Sequence, residues 1–246
     1  MKFAVYIPAR FGSTRLPGKP LKKLGEKTLI NRVFDQASAS GASKIVVATD
    51  SIQIKEEVEG FGGFCVLTQP SLRSGSDRVA SAIKLVGEDP NEVIVNLQGD
   101  EPRMEPEVIA QVARIVAESE EDIVATVCEE MNDYEIENVN VVKVVRSQAN
   151  RALYFSRAAI PFLMQGNGLK SKKNIYKRHI GLYAYKVRLL EKFVLMSTSV
   201  LERLENLEQL RFLDNDVTVI VADAVKQCGF GIDTQEDYAR MREQYD

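Results

Sequence analysis

An α/β fold with a mostly parallel, doubly wound sheet is predicted by the alternation of two patterns in the first half of the chain. Short runs of β-branched and other apolar residues alternate there with amphipathic segments of helical periodicity. A parallel pair of strands needs a long crossover, which is usually a helix, so the alternation favours βαβ units. The strand-like runs are residues 3–8, 44–48, 64–67, 93–97 and 123–127, and the helical segments are 28–39, 51–60, 76–87 and 105–118.

The second half of the chain has a different rhythm, which predicts a smaller, β-rich antiparallel lobe. From about residue 140, three strand-like runs follow one another without helices between them. Residues 164–174 are polar, basic and contain glycine, which is typical of a loop. The three runs are residues 139–146, 152–155 and 178–185; helical patterns at 187–196 and 199–213, a strand at 217–221 and a helix from about Gln235 complete the chain.

Length, composition and charge limit the classes of protein. The chain has 246 residues, 45% of them apolar, which is enough for one sizeable core, and we expect a single domain over 1–246. Its net charge of -3 argues against nucleic acid as a partner, because nucleic-acid-binding proteins usually carry a basic excess. We find no signal-peptide pattern and no apolar run long enough for a membrane span, so we expect a cytoplasmic protein with no membrane partner.

The cysteines fit that compartment. Cys65, Cys128 and Cys228 lie far apart, lack the CxxC spacing and stand in mostly apolar surroundings. This pattern favours reduced core thiols over disulfides or a zinc site.

The loop after the first strand is a candidate phosphate site. It carries three cations, Arg10, Arg15 and Lys19, together with two glycines. Ligands of open α/β sheets lie beyond the carboxyl ends of the strands, where a glycine-rich loop lets backbone N–H groups approach phosphate. The loop is not a Walker A motif, because five residues separate Gly12 from Gly18. The alternative is a solvated basic loop.

Asp100 is a candidate magnesium ligand, and Asp233 is a second isolated aspartate near the end of the sequence. Asp100 follows a strand of buried type, and its carboxylate should face the same crevice as the cationic loop. Mg²⁺ typically takes one or two protein carboxylates together with phosphate oxygens. An ordinary Asp-Glu-Pro turn is the competing interpretation. Asp233 lies just after a glycine pair and before a helix, a pattern that by itself favours a helix cap formed by Thr234 or Asp233.

Two further segments have both a functional and a structural interpretation. Residues 74–78, SGSDR, precede a helix, so Ser74 or Ser76 could cap it or could face a ligand. The one histidine, His179, lies in a strand pattern that puts it on the same face as Tyr183. A histidine in an apolar strand is usually structural, but this face could also line a pocket.

Taken together, these segments resemble the 3-deoxy-manno-octulosonate (Kdo) cytidylyltransferases. The resemblance runs from IPARFGSTRLPGKPL at the start to GIDTQED near the end, and its motifs occur in order along the chain. The motifs between them are VVATD (46–50), SGSDR (74–78), NLQGDEP (96–102), ALYFSRAAIP (152–161), RHIGLYAY (178–185) and LENLEQLR (204–211).

The resemblance implies an enzyme that transfers CMP from CTP to the anomeric hydroxyl of Kdo, releases pyrophosphate and serves lipopolysaccharide biosynthesis. It implies Mg²⁺ as the cofactor, CTP and an acidic 3-deoxy sugar as partners, a homodimer, a mainly nucleotide-binding part over 1–135 and a mainly sugar-binding and dimerising part over 136–246. The implied site residues are Arg10, Ser13, Arg15 and Lys19 for the triphosphate; Ser74, Gly75, Ser76, Asp77, Arg78 and Gln98 for the cytidine; Asp100 and Asp233 for Mg²⁺; and Arg157, His179, Tyr183, Glu208 and Gln209 for the sugar.

Other functions remain open on the sequence alone. Within the same class, the acceptor could be 8-amino-Kdo or a nine-carbon sialic-type sugar. A glycosyltransferase that uses a nucleotide sugar and a non-catalytic nucleotide-binding module are alternatives from other classes. The dense cationic loop and the paired carboxylates oppose the last, because simple binding does not need groups gathered around a leaving pyrophosphate.

Overall fold

The computed structural model describes residues 1–12, 15–72, 74–164 and 175–245. Its strands are β1 (Ala4–Ala9), β2 (Lys23–Leu24), β3 (Lys27–Thr28), β4 (Lys44–Thr49), β5 (Phe64–Leu67), β6 (Val93–Asn96), β7 (Val124–Glu130), β8 (Lys143–Arg146), β9 (Ala152–Ser156), β10 (Lys177–Lys186) and β11 (Val219–Asp223). Its α-helices are α1 (Leu29–Ala39), α2 (Ile52–Gly60), α3 (Gly75–Val86), α4 (Pro106–Ala117), α5 (Val187–Phe193), α6 (Val200–Glu205), α7 (Leu210–Asp214) and α8 (Gln235–Arg242).

One nine-stranded sheet organises the described chain. Its central path runs in the order β11-β7-β10-β6-β1-β4-β5. Strands β1, β4, β5 and β6 pair in parallel, as do β7 and β11. Only β10 runs against its neighbours on this path, where it pairs with both β6 and β7. The predicted mostly parallel sheet is confirmed.

The sheet is covered on both faces, as expected for a doubly wound fold. Alternate residues of β1 face opposite sides, so that Val5 and Ile7 enter one apolar cluster and Ala4 and Tyr6 the other. Helices α1, α2, α4 and α8 contribute to the first cluster, and α3, α5 and α7 to the second. The periodic apolar positions of these helices thus explain why they pack on the sheet.

The predicted antiparallel lobe consists of β8 and β9, and β10 joins it to the central sheet. Strands β8 and β9 pair with each other, and β8 also pairs with β10 through Arg178 and Lys143. Lys143 is fully buried, and its ammonium donates to the backbone oxygens of Asn138, Val141 and Arg157. This one side chain fixes the connection into β8 and the end of β9.

Most predicted elements differ from the structure by one to three residues at an end, and two differ more. The helix expected over 199–213 is divided into α6 and α7, because Asn206 takes a left-handed conformation (φ 53°) that ends α6. The strand expected over 139–146 begins only at Lys143. The side-chain oxygen of Asn138 accepts from the backbone N–H of Asn140, and this local bond competes with strand pairing before that point.

No helix in the described parts of the chain is both long and apolar enough to cross a membrane. Cys65, Cys128 and Cys228 are all buried and free, as the sequence predicts. Burial raises the pKa of the Cys65 and Cys228 thiols to about 12 and that of Cys128 to about 11. These thiols are therefore held in their neutral form at physiological pH.

Candidate active site

A cavity of about 270 Å³ opens at the carboxyl ends of β1 and β6. This is where open α/β sheets bind their ligands, because loops diverge from the strands there. The cavity is lined by Pro8, Ala9, Arg10, Arg15, Lys19, Pro20, Leu72, Ser74, Gly75, Arg78, Gln98, Gly99, Asp100 and Asp233. The first loop, the SGSDR segment and both candidate metal carboxylates thus meet at one place, although they are far apart in sequence.

Lys19 holds the two aspartates together. Its Nζ lies 2.7 Å from Asp100 Oδ2 and 3.4 Å from Asp233 Oδ1, and it donates to the backbone oxygen of Ile232 at 2.7 Å. Arg15 Nη2 lies 3.5 Å from the same Asp233 oxygen. Two carboxylates on one ammonium group show that the C-terminal segment returns to the end of β6, as a shared site for these aspartates requires.

The carboxylate of Asp233 is not occupied in capping α8. Thr234 caps that helix: its Oγ1 accepts from the backbone N–H of Asp237, and the Asp237 carboxylate accepts in return from the N–H of Thr234. This reciprocal arrangement is a capping box. Asp233 therefore directs its side chain, which is 57% exposed, toward Lys19 and Arg15.

The backbone around Asp100 is held by close packing. A Cβ on Gly99 would lie 2.8 Å from the backbone oxygen of Pro8, and a Cβ on Gly231 would lie 2.7 Å from Glu101 Oε1. Glycine is needed at position 99, because the contact there is with backbone, whereas the contact at Gly231 is with the end of a side chain. Burial, reinforced by the charge of Asp100, raises the pKa of Glu101 to about 8. Of these two neighbours, Asp100 lines the cavity and Glu101 does not.

Arg78 connects the cavity wall to two neighbouring strand ends. Its guanidinium donates to Asp50 Oδ2 at 3.0 Å and to Thr68 Oγ1 at 2.6 Å, and the residue is only 2% exposed. Asp50 also accepts from the backbone N–H of Phe11 in the first loop. Asp50 and Thr68 were missed as site residues in the sequence, although Asp50 ends the VVATD motif. Their position after β4 and β5 was the available signal.

Of the two serines that could cap α3, Ser74 is the one that does so. Its Oγ accepts from the backbone N–H of Asp77, in the first turn of the helix. The Ser76 hydroxyl instead donates to Glu208 Oε2 at 2.7 Å. Capping and cavity lining are compatible for Ser74, because the same residue also borders the cavity.

His179 lies in the sheet and contacts other aromatic rings. Its Nε2 lies 3.0 Å from Thr126 Oγ1, and its ring centroid is 4.8 Å from that of Phe155 and 5.5 Å from that of Tyr183. Burial lowers the pKa of His179 to about 3 and raises that of Tyr183. Both groups are neutral at physiological pH, so the pair can offer hydrogen bonds but no charge.

The remaining predicted sugar residues lie near the break between α6 and α7. Arg157 donates to the backbone oxygens of Glu205 at 2.7 Å and Val139 at 2.9 Å. Glu208 bonds to Ser76, and Gln209 is buried at the start of α7. Arg157 therefore anchors the break between these helices.

The structure thus gathers some predicted site residues and separates others. Those that line the cavity are Arg10, Arg15, Lys19, Ser74, Gly75, Arg78, Gln98, Asp100 and Asp233. Those placed outside its lining are Ser76, Asp77, Arg157, His179, Tyr183, Glu208 and Gln209. Ser13 lies outside the described residues.

Comparison with known proteins agrees with this geometry. The cytidylyltransferase family matches residues 4–219. A 3-deoxy-manno-octulosonate cytidylyltransferase of Idiomarina loihiensis is 44% identical over 98% of this chain and 98% of its own length. The chain belongs to this family. A second member, from Hahella chejuensis, is also 44% identical over 98% of this chain and 96% of its own length.

Solved structures agree with the family assignment. A CMP:2-keto-3-deoxy-manno-octonic acid synthetase complexed with CTP superposes with a TM-score of 0.90 at 33% identity, over 99% of this chain and 98% of its own. A cytidylyltransferase from Leptospira borgpetersenii has a TM-score of 0.61 at 19% identity, over 98% of this chain and 85% of its own, and shows the fold alone. The resemblance found in the sequence is confirmed.

Proposed function

We propose that this protein transfers CMP from CTP to the anomeric hydroxyl of Kdo and releases pyrophosphate. The observation that carries the proposal is the meeting of Arg10, Arg15 and Lys19 with Asp100 and Asp233 in one cavity at the carboxyl edge of the sheet. Cations suit a triphosphate, and paired carboxylates suit the metal that accompanies it. The named relatives supply the identity of nucleotide and sugar.

The cationic side chains account for the leaving group. The anomeric oxygen attacks the α-phosphorus of CTP in line with the departing pyrophosphate, and such a transfer depends on positioning and charge neutralisation. Arg10 and Arg15 are exposed at the cavity mouth, where they can follow the β- and γ-phosphates. Lys19 is held at the inner end by Asp100 and neutralises charge there.

Asp100 and Asp233 fit Mg²⁺ as its protein ligands. Both direct a carboxylate oxygen to the same Lys19 ammonium, so their oxygens converge on one small volume. Mg²⁺ binds through one or two carboxylates and substrate phosphate oxygens, which agrees with this donor set. When bound, the ion would supply charge stabilisation to the reacting phosphate. The metal dependence is tested by titrating pyrophosphate release against Mg²⁺ after chelator treatment.

The sugar side of the proposal concerns the second half of the chain. The family resemblance gives it Arg157, His179, Tyr183, Glu208 and Gln209. The break between α6 and α7 touches the nucleotide side directly, because Glu208 accepts from Ser76. A sugar bound along this contact would lie beside the first turn of α3, next to the cavity.

Pyrophosphate release from defined pairs of substrates tests the proposed reaction. CTP, UTP, ATP and GTP are each combined with Kdo, 8-amino-Kdo or a nine-carbon sialic acid, and the sugar product is identified by mass spectrometry. We expect the highest kcat/KM for CTP with Kdo. A higher value for another acceptor would replace the sugar, and no release with any pair would contradict the transferase activity.

We further propose that the protein is a homodimer. Leu207 and Leu210 are buried in the core, whereas Leu204 is 77% exposed and Leu201 is 37% exposed on α6. An exposed apolar strip beside buried leucines of the same segment suits a twofold contact. Light scattering of Leu204→Glu beside the parent tests it. The parent should have twice the mass of a protomer and the variant should shift toward a monomer.

We propose the cytoplasm as the compartment and lipopolysaccharide biosynthesis as the pathway. Three free, buried cysteines suit a reducing compartment. An activated sugar nucleotide of this kind is a donor for a later glycosyl transfer. Fractionation of the source cells, followed by assay of CMP-Kdo formation in each fraction, tests the compartment. Activity confined to the membrane or periplasmic fraction would contradict it.

A further inference from the structure

A row of buried polar side chains runs from the cavity into the sheet. Gln98 lines the cavity, and its Nε2 donates to Asn96 Oδ1 at 3.1 Å. Asn96 Nδ2 in turn donates to Tyr185 Oη at 3.2 Å. Asn96 and Tyr185 are each only 1% exposed, and they lie on the paired strands β6 and β10.

The donors of this row are both amide nitrogens, which can donate but not accept. Gln98 Nε2 therefore donates to Asn96, and Asn96 Nδ2 donates to the Tyr185 hydroxyl. Both hydrogen bonds thus point from the cavity toward Tyr185.

This polarity determines which end of the Gln98 amide meets a ligand. Its nitrogen is directed to Asn96, so its oxygen is left for the cavity side. Gln98 Oε1 lies 3.2 Å from the point where a Cβ on Gly75 would stand, compared with 3.6 Å for Nε2. Gly75 thus leaves room for the amide, and the amide presents an acceptor next to the first turn of α3.

We propose that Asn96 and Tyr185 are positioning residues that hold Gln98 with its amide oxygen toward the bound nucleotide. Through them, Gln98 accepts a hydrogen bond from an N–H or O–H group of CTP. The inference rests on the proposed function, because it takes CTP as the ligand of the cavity. It adds two buried residues that touch no ligand to the machinery of the reaction.

Tyr6 provides a matched control for Tyr185. It is fully buried, belongs to the same apolar cluster, and its Cα pairs with that of Asn96 across β1 and β6. Its hydroxyl, however, donates to Glu88 at 2.6 Å, which does not line the cavity. Tyr6→Phe and Tyr185→Phe therefore each remove one buried hydroxyl from the same face of the sheet. Only Tyr185→Phe removes a hydrogen-bond partner of Asn96.

A double-mutant cycle on the full-length protein separates positioning from general stability. We compare the parent, Tyr185→Phe, Gln98→Ala and the double variant by kcat/KM for CTP and by the dissociation constant for CTP. One lost neutral hydrogen bond corresponds to about 3- to 10-fold, which we expect for Tyr185→Phe alone. Because Tyr185 acts through Gln98, the double variant should lie within about twofold of Gln98→Ala.

The control cycle uses Tyr6→Phe in place of Tyr185→Phe. The kcat/KM and the dissociation constant for CTP of Tyr6→Phe should each lie within about twofold of the parent values. Asn96→Ala gives a second arm, with the same expected coupling to Gln98→Ala. Melting temperatures of all variants report the loss of stability separately. The inference would be overturned if the fold-changes of the single variants multiplied in the double variants. It would also be overturned if Tyr6→Phe and Tyr185→Phe lost kcat/KM equally.

The proposed function can fail without deciding this inference. A parent protein that binds CTP but releases no pyrophosphate with any sugar would contradict the transfer reaction. The cycle is then evaluated from the dissociation constant for CTP alone, which requires no acceptor. Coupling in that constant supports the positioning role, and independent factors contradict it.

Discussion

The residues predicted for the nucleotide side and those predicted for the sugar side are held in different ways. On the nucleotide side, Arg10 and Arg15 are exposed at the cavity, and Asp233 is more than half exposed. On the sugar side, Arg157 donates to two backbone oxygens, and His179 is buried among aromatic rings. Apart from the buried Arg78, the charged residues of the nucleotide side are available to a ligand, whereas those of the sugar side also maintain the fold.

This difference separates the expected effects of mutation. A substitution on the nucleotide side removes charge from a solvated cavity and leaves the packing intact, so it should reduce turnover and spare stability. A substitution on the sugar side leaves buried polar partners unsatisfied, so it should reduce stability as well. The following measurements test that separation.

The largest effect is expected for Asp100→Asn. The change removes the carboxylate that holds Lys19 and fits Mg²⁺, so we expect kcat/KM to fall by about 10³-fold, the scale of a preorganised electrostatic group. The melting temperature should stay within a few degrees of the parent. Asp233→Asn should behave in the same way, because Thr234 caps α8 without it. Parent-like turnover and metal dependence of Asp233→Asn would restrict the site to Asp100.

Lys19→Met is expected to lower kcat/KM by about 10²-fold, since it removes one charge-stabilising donor. Lys22→Met is a matched control in the same segment. Lys22 lies over the ring of Tyr238, 5.3 Å from its centroid, and does not line the cavity. Pyrophosphate release by the two variants is compared at saturating Kdo. Equal losses in both would show that general positive charge, rather than the Lys19 contact, matters.

Arg157→Met tests the sugar side. The loss of charge-assisted bonds to the backbone oxygens of Glu205 and Val139 should reduce the free energy of unfolding by about 2 kcal/mol. Urea denaturation measures this value, and Asp100→Asn provides the comparison. If Arg157→Met unfolds at the same urea concentration as the parent but loses activity, Arg157 contacts the substrate and does not stabilise the fold. The difference between the nucleotide side and the sugar side would then not hold for this residue.

The smallest expected effect is an absence of titration at His179. Burial lowers its pKa to about 3, below the ordinary value near 6.5, so the ring should stay neutral between pH 8 and pH 5. Between pH 6.5 and pH 3 the His179 ring is protonated in the unfolded chain but not in the folded one. The free energy of unfolding should therefore decrease as pH falls from about 6.5 toward 3. His179 is the one histidine of the chain, so its ring proton resonances are assignable. A shift centred near pH 6.5 would contradict the buried placement.

Local patterns in the sequence were sufficient for most of the fold and for the cavity. The run Phe64–Leu67 is a strand with the predicted bounds, and the predicted helix at 76–87 differs from α3 by one residue at each end. The cationic loop and Asp100 could be placed together because carboxyl ends of parallel strands share an edge. Convergence of Asp233 was a hypothesis drawn from the family resemblance, and the structure places it at Lys19.

One local conformation and several long-range contacts account for the features that could not be predicted from the sequence. The break at Asn206 depends on one left-handed residue within an otherwise helical pattern, and periodicity does not detect it. The partners of Arg78, which are Asp50 and Thr68, come from the ends of two other strands. The row from Gln98 to Tyr185 likewise joins β6 to β10, which are adjacent in the sheet but far apart in sequence.

The reversed direction of β10 has a consequence for how the chain crosses the sheet. Lys177 pairs with Glu130 at the carboxyl end of β7, whereas Lys186 pairs with Val93 at the start of β6. The chain therefore enters β10 at the same edge where the cavity opens and leaves it at the opposite edge. One continuous strand thus ties the ligand-facing edge of the sheet to the edge where β6 begins.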